Sequence, residues 1–153
     1  MIKHISTLLA RCDILCLQET GLGEHDSSTL RAIFPKHNFF YNNLKLNYAG
    51  VITMVSAKYA KAFTITQARP PELTKGRILT LRFNSRLHSS TTRASFHVHN
   101  AYVSSGESDM NKVAELATLA PLGKEIPNFL CGDFNFVVSA EDASSSRSSC
   151  ALN

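Results

Sequence analysis

Two stretches of this 153-residue chain end an apolar run in side chains able to do chemistry. Asp13-Ile14-Leu15-Cys16-Leu17-Gln18-Glu19-Thr20 leads to the Glu19 carboxylate, and Leu130-Cys131-Gly132-Asp133-Phe134-Asn135 leads to a carboxylate and an amide two residues apart. The charge distribution indicates what that chemistry would be. Residues 27–106 hold eleven Lys and Arg and one acid, Glu72, whereas residues 1–26 hold two basic and four acidic groups and residues 107–153 three and seven. A basic middle flanked by carboxylate-bearing ends suits a phosphate-binding surface beside a metal site. A solvated Lys and Arg face is the plainer account of the same charges, because net charge bears first on solubility.

Side chains of this kind need elements beneath them. Ile2, Ile5, Leu8, Leu9 and Cys12 recur at helical spacing, and Asp13 ends that helix. Ile14 to Leu17 is short and wholly apolar, which predicts a strand buried on both faces. Asp26, Ser27 or Ser28 caps a helix running to Phe34, which Pro35 closes. Period-two β-branched and aromatic content predicts strands over 39–42, 50–56, 61–67, 77–83 and 95–103. Strands in succession without intervening helices pair antiparallel. Ser108 or Asp109 caps a helix with Met110, Val113, Leu116, Ala117 and Ala120 on one stripe, stopped by Pro121. Phe129-Leu130-Cys131 predicts a second buried strand. The Ser-crowded stretch from 141 to 153 has too little apolar content to offset its ordering entropy, and it is expected to be a flexible tail.

With 44% apolar residues, the chain can bury a core without disulfides or a structural metal, which excludes general disorder. No apolar run is long enough for a membrane span, and Lys3, His4, Arg11 and Asp13 interrupt any secretory signal. An intracellular protein, nuclear or cytoplasmic, is expected. Cys12, Cys16, Cys131 and Cys150 form no Cys-x-x-Cys pair, so a secreted disulfide scaffold or a zinc ribbon is excluded. Cys16 and Cys131 sit in apolar runs and are expected to be small buried hydrophobes. His97 and His99 share a strand face, but a third metal ligand is missing nearby, which favours a polar strand face.

The two strand tips together resemble the endonuclease/exonuclease/phosphatase superfamily, the deoxyribonuclease I-like fold. Gly50-Val51-Ile52, Gly76-Arg77-Ile78-Leu79 and Asn100-Ala101-Tyr102-Val103 support the resemblance in the right order, from about residue 5 to about residue 140. It implies an α/β (α+β) fold, a two-sheet mixed β-sandwich flanked by helices. Residues 1–140 would form a partial domain, truncated at both ends, followed by the tail. It further implies that Glu19 holds a divalent ion, Mg²⁺ with Mn²⁺ as a substitute, because Mg²⁺ binds through one or two carboxylates, waters and substrate phosphate. Asp133 corresponds to the residue that orients or deprotonates the attacking water, and Asn135 to an amide contacting the phosphate or the metal's water shell. Tyr102 corresponds to a phenol that hydrogen-bonds the phosphate as charge develops. Arg77 and Ser105 are the expected nucleic-acid contacts. As alternatives, Asp133 and Asn135 could form only a turn, and Tyr102 could be a half-buried core aromatic.

The departures from the family pattern are specific. The family opens with a strand ending in Asn and closes with a strand carrying Asp and then an Asp-His pair. This sequence has neither, and its histidines at 4, 25, 37, 88, 97 and 99 all precede Asp133. Ser104-Ser105 stands where a Pro-Asn commonly follows the tyrosine strand. The resemblance therefore implies a Mg²⁺-dependent, endonuclease-type phosphodiesterase domain with little or no activity alone, since catalytic groups acting as a unit are strongly non-additive. DNA is the expected partner, no membrane is expected, and nothing points to a protein partner other than the missing half of the domain. Within the family, the Glu-Thr-Gly turn and Gly-Asp-Phe-Asn-Phe look most like the endonuclease part of a non-LTR retrotransposon polyprotein. Abasic-site endonucleases and lipid or inositol phosphatases share both motifs. A catalytically dead nucleic-acid-binding remnant is the alternative from another class.

Overall fold

The computed structural model of the chain describes residues 2–22, 24–43, 50–71, 74–86, 95–119 and 126–135. Val51, Ile52, Thr53, Met54 and Val55 are all buried, although neighbouring strand residues point to opposite faces. Both faces must therefore be covered. Their strand, β3 (Val51–Ser56), lies between β1 (Ile14–Leu17) and β2 (His37–Asn42) in a three-stranded antiparallel sheet. The helices α1 (Ile2–Leu9) and α2 (Glu24–Ile33) close one face, where Ile5, Leu30 and Phe34 pack with Phe39, Ile52 and Met54. The other face supplies Val51 and Val55, which meet Leu79, Leu81, Phe83 and Val98 of a second sheet.

The second sheet runs β4-β5-β6-β7, built from Phe63–Gln67, Ile78–Ser85, Ser95–Tyr102 and Asn128–Asp133. Its first two pairings are antiparallel and its last, β6 with β7, is parallel. A parallel pair needs a crossover, and α4 (Asp109–Ala117) lies in that connection. Phe83 and Phe96 stack with ring centroids 4.6 Å apart, and Phe63 meets both edge-on. The result is the expected two-sheet α/β sandwich flanked by helices.

Four local expectations change, the first being that α2 starts at Glu24, so Asp26, Ser27 and Ser28 lie within it instead of capping it. The short helix α3 (Ala57–Ala62) precedes β4, so the strand expected from 61 begins at Phe63. The Ser56 hydroxyl accepts from the Tyr59 amide and donates to Asp13, capping that helix and tying it to β1. Neither apolar tip strand is buried on both faces, because each is a sheet edge: β1 is half-buried, and all six residues of β7 are exposed, with Phe129 at 54% and Leu130 at 48%. In α4 the buried side chains are Lys112 and Glu115, while Met110 (83%) and Val113 (59%) of the apolar stripe are exposed. Ionic and hydrogen-bonded partners for Lys112 and Glu115 at the site set that orientation. The domain boundary at 140, the Ser-rich stretch and Pro121 lie outside the described residues.

The buried amide of Asn42 fastens the turn before β5 to β2. Its Nδ2 donates to the Thr74 and Ile78 carbonyls at 3.1 and 2.6 Å, and its Oδ1 accepts from the Gly76 amide at 3.0 Å. Asn42→Ala leaves the Gly76 amide and the Ile78 carbonyl unpaired, while the Thr74 carbonyl keeps the Arg77 amide, and is expected to lower stability by about 2 to 4 kcal/mol. A urea midpoint within error of wild type would refute this.

Candidate functional site

Glu19 sits just past β1, and a buried amide from the opposite sheet holds that strand end. Asn100, fully buried on β6, directs Nδ2 at the carbonyls of Leu17 (3.1 Å) and Ile52 (2.9 Å) and at Thr53 Oγ1 (3.3 Å). Its Oδ1 accepts from Gln18 Nε2 at 2.6 Å. On the other side of Glu19, the Thr20 amide donates to the Gly50 carbonyl at 3.1 Å. Gly50 has φ +119° and a Cβ there would stand 3.0 Å from Thr20 Oγ1 and 2.8 Å from Asn43 Oδ1, so the backbone passes where only glycine fits.

Clamped on both sides, Glu19 adopts φ +50°. Among the described residues the only other non-glycine in this left-handed region is Asn135, at φ +47°. For Glu that conformation is uncommon, and such strain persists only where surroundings over-determine it. Both residues belong to the expected site.

The Tyr102 hydroxyl donates to the Glu19 carboxylate. In the parallel register Tyr102 lies beside Asp133. The Val103 amide donates to the Asp133 carbonyl at 2.8 Å, Asp133 Oδ1 accepts from the Asn135 amide at 3.1 Å, and Asn135 Nδ2 donates to the Val103 carbonyl at 2.7 Å. Asp133 and Asn135 do form a turn, locked to the Tyr102 strand. The two distant tips thus meet around one phenol. Its pKa is pushed up to about 12, by the hydrogen bond to Glu19 first, then by burial and the charges of Glu19 and Asp133, against a smaller opposing effect of Arg77. At neutral pH the phenol is therefore a hydrogen-bond donor.

Arg77 is adjacent and engaged: its guanidinium pairs with Glu115 and with Glu107 at 3.3 Å. Lys112 Nζ donates to the Asn135 carbonyl at 3.0 Å and to Asp109 at 3.4 Å. Ser105 is exposed in the turn after β6. The structure therefore brings Glu19, Tyr102, Asp133 and Asn135 together, with Arg77 and Ser105 at the same end. Sequence reading passed over Asn100, Gln18 and Lys112. The available signal was Asn100, a polar residue on the strand face that also carries Phe96 and Val98.

His97 and His99 hold an amide. His97 Nδ1 and His99 Nε2 lie 3.1 and 3.0 Å from Asn128 Oδ1, and His99 Nδ1 lies 3.0 Å from Thr80 Oγ1. Among the described residues no three His, Cys, Asp or Glu side chains gather as a metal cage. Burial lowers the His99 pKa, aided by His97 and opposed by the Asn128 bond, and burial lowers His37 as well. Each folded-state pKa lies below the unfolded one, so this stability is complete above about pH 6.5 and is lost as pH falls toward the folded values. Urea midpoints should drop between pH 7.5 and 5.5, and His99→Gln should flatten the slope. An unchanged slope would count against a neutral, buried His99.

The fold and the paired tips define a class. Residues 2–148 match the Endonuclease/Exonuclease/phosphatase family, and the chain belongs to it. No curated protein matches the sequence. The human Nocturnin catalytic domain with bound sulfate is 19% identical, with a TM-score of 0.57, covering 95% of this chain and 60% of that one. The Xenopus laevis APE2 catalytic domain is 17% identical, TM-score 0.59, covering 88% of this chain and 52% of that one. D. rerio TDP2, complexed with single-strand DNA product, is 14% identical, TM-score 0.58, covering 89% and 54%. The chain thus spans between about half and three fifths of the length of these structures. Among the described residues no helix is long and apolar enough to cross a membrane.

Proposed function

We propose that this chain is part of a divalent-metal-dependent phosphodiester hydrolase domain of endonuclease type, acting on DNA. The observation that supports it most is the Tyr102 hydroxyl on Glu19 beside the Asp133 pairing. An all-oxygen donor set with one or two carboxylates fits Mg²⁺, or Mn²⁺ in its place, because that ion keeps several waters and shares the phosphate. Glu19 is the residue that would hold it. When bound, the ion supplies Lewis-acid polarisation of a phosphoryl oxygen.

The chain's own groups do the rest. Asp133 orients the attacking water and takes its proton. Tyr102, kept protonated, turns its single hydroxyl proton from Glu19 to a phosphoryl oxygen where charge develops. Asn135, fixed by Val103, presents its amide beside them, while Ser105 meets the flanking backbone. Activity of the chain alone is low, because the family's downstream Asp and His have no counterpart in this sequence. That same departure favours a second reading, a nucleic-acid-binding remnant without turnover.

A supercoiled-plasmid nicking assay with Mg²⁺ or EDTA, on wild type, Glu19→Ala and Asp133→Ala, separates the readings. Weak metal-dependent nicking lost in both variants supports hydrolysis. Nicking that survives both changes overturns the site, and salt-sensitive DNA binding without nicking under any condition favours the remnant. Plain duplex, the substrate of a retrotransposon-type endonuclease, abasic duplex and a phosphoinositide headgroup offered in parallel distinguish substrates within the family.

A further inference from the structure

An open apolar groove of about 630 Å³ lies between the two edge strands, lined by Ile14 and Cys16 of β1, Phe129 and Cys131 of β7, and Phe96 and Val98 of β6. Two thiols face it. Cys16 is the register partner of Thr53, with Sγ 3.9 Å from Thr53 Oγ1, and Cys131 is the register partner of Asn100. Asn100 Nδ2 in turn lies 3.3 Å from that same Thr53 oxygen. The sheets are thus drawn together at one level, and each cysteine sits one strand outward from that contact. Both thiols are free, Cys131 exposed and Cys16 partly covered. The expectation of two inert buried hydrophobes therefore fails for Cys131.

We propose that Cys16 and Cys131 are an oxidation-sensitive pair that closes an intramolecular disulfide between β1 and β7, with a peroxide as oxidant. The exposed Cys131 thiolate attacks hydrogen peroxide, breaking its O–O bond to give the sulfenic acid and hydroxide. Cys16 then attacks that sulfur, its thiol proton leaving with the expelled hydroxide as water. Overall two thiols and one peroxide give one disulfide and two waters. Cys16 is the resolving partner because burial, first among several causes, pushes its thiol up to about 12, and neighbouring Cys131 adds to the rise. The bond would tie the strands three residues before Glu19 and two before Asp133. Both strands are edges, free on one side to adjust their spacing.

The test is independent of any activity. Full-length Cys12→Ser/Cys150→Ser protein, reduced and then treated with equimolar hydrogen peroxide at pH 8.5, should lose about 2 Da as a monomer. Non-reducing digestion should yield one peptide pair joining Cys16 to Cys131, reversed by dithiothreitol. The same pair should appear in digests of oxidised wild type, whatever the folding of the variant. Cys131 carried to the sulfinic acid with Cys16 still a free thiol, or a dimer joined through Cys131, would overturn the assignment.

Discussion

Gly132→Ala is expected to detach β7 from the second sheet. Gly132 has φ +151°, and a Cβ there would stand 1.8 Å from the Ala101 carbonyl oxygen and 2.8 Å from its carbon. Those atoms are backbone of the adjacent strand, so no side-chain rotation relieves the clash. Backbone strain together with overpacking should cost about 3 to 5 kcal/mol. β7 also presents Asp133, so the tip should leave Tyr102 even where the remainder stays folded. Urea unfolding reads the loss, and hydrogen exchange reads its place through the Val103 amide, which donates to Asp133. Wild-type protection at Val103 in the variant would sink this prediction.

Arg77→Ala should be nearly as damaging, for an electrostatic reason. Glu115 has a side chain only 3% exposed, and one of its oxygens has no hydrogen-bond partner among the described residues, so Arg77 is what balances its charge. Removing one member of a buried pair leaves an uncompensated charge, at a typical cost of about 3 to 5 kcal/mol. Arg77 keeps 25% of its side chain in solvent, so about 2 to 3 kcal/mol is the better expectation. The Glu107 contact, 32% exposed on the carboxylate side, adds little. Arg77→Ala/Glu115→Ala should recover much of the loss. Additive effects in that cycle, within about 0.5 kcal/mol, would show that the pair does not stabilise the fold.

The strand tips were legible because an apolar run that stops abruptly at a carboxylate marks the point where a packed strand reaches solvent. Glu19 and Asp133 were therefore placed correctly as strand ends, and family motifs supplied the expectation that they meet. Burial was less legible. Apolar content alone made β7 look internal, yet Phe129 and Leu130 are exposed because β7 is the outermost strand of its sheet. Helix α4 went wrong for a related reason: periodicity marks an apolar stripe, but Arg77, over 30 residues upstream, draws Glu115 inward. Ser56 ahead of Ala57-Lys58-Tyr59-Ala60 was a readable cap for α3, overridden by the alternation that follows it. The reason for glycine at 132 lay wholly in a neighbouring strand.

Asn100 also bears on how this molecule can move. Its amide is shared between the Leu17 and Ile52 carbonyls of one sheet, while its own backbone belongs to the other. Sliding one layer over the other would strand those buried groups in a dry interior, so shear between the layers is forbidden at this level. Any adjustment must come from the edge strands and from the connections at the rim, not from the layers sliding past each other at this contact.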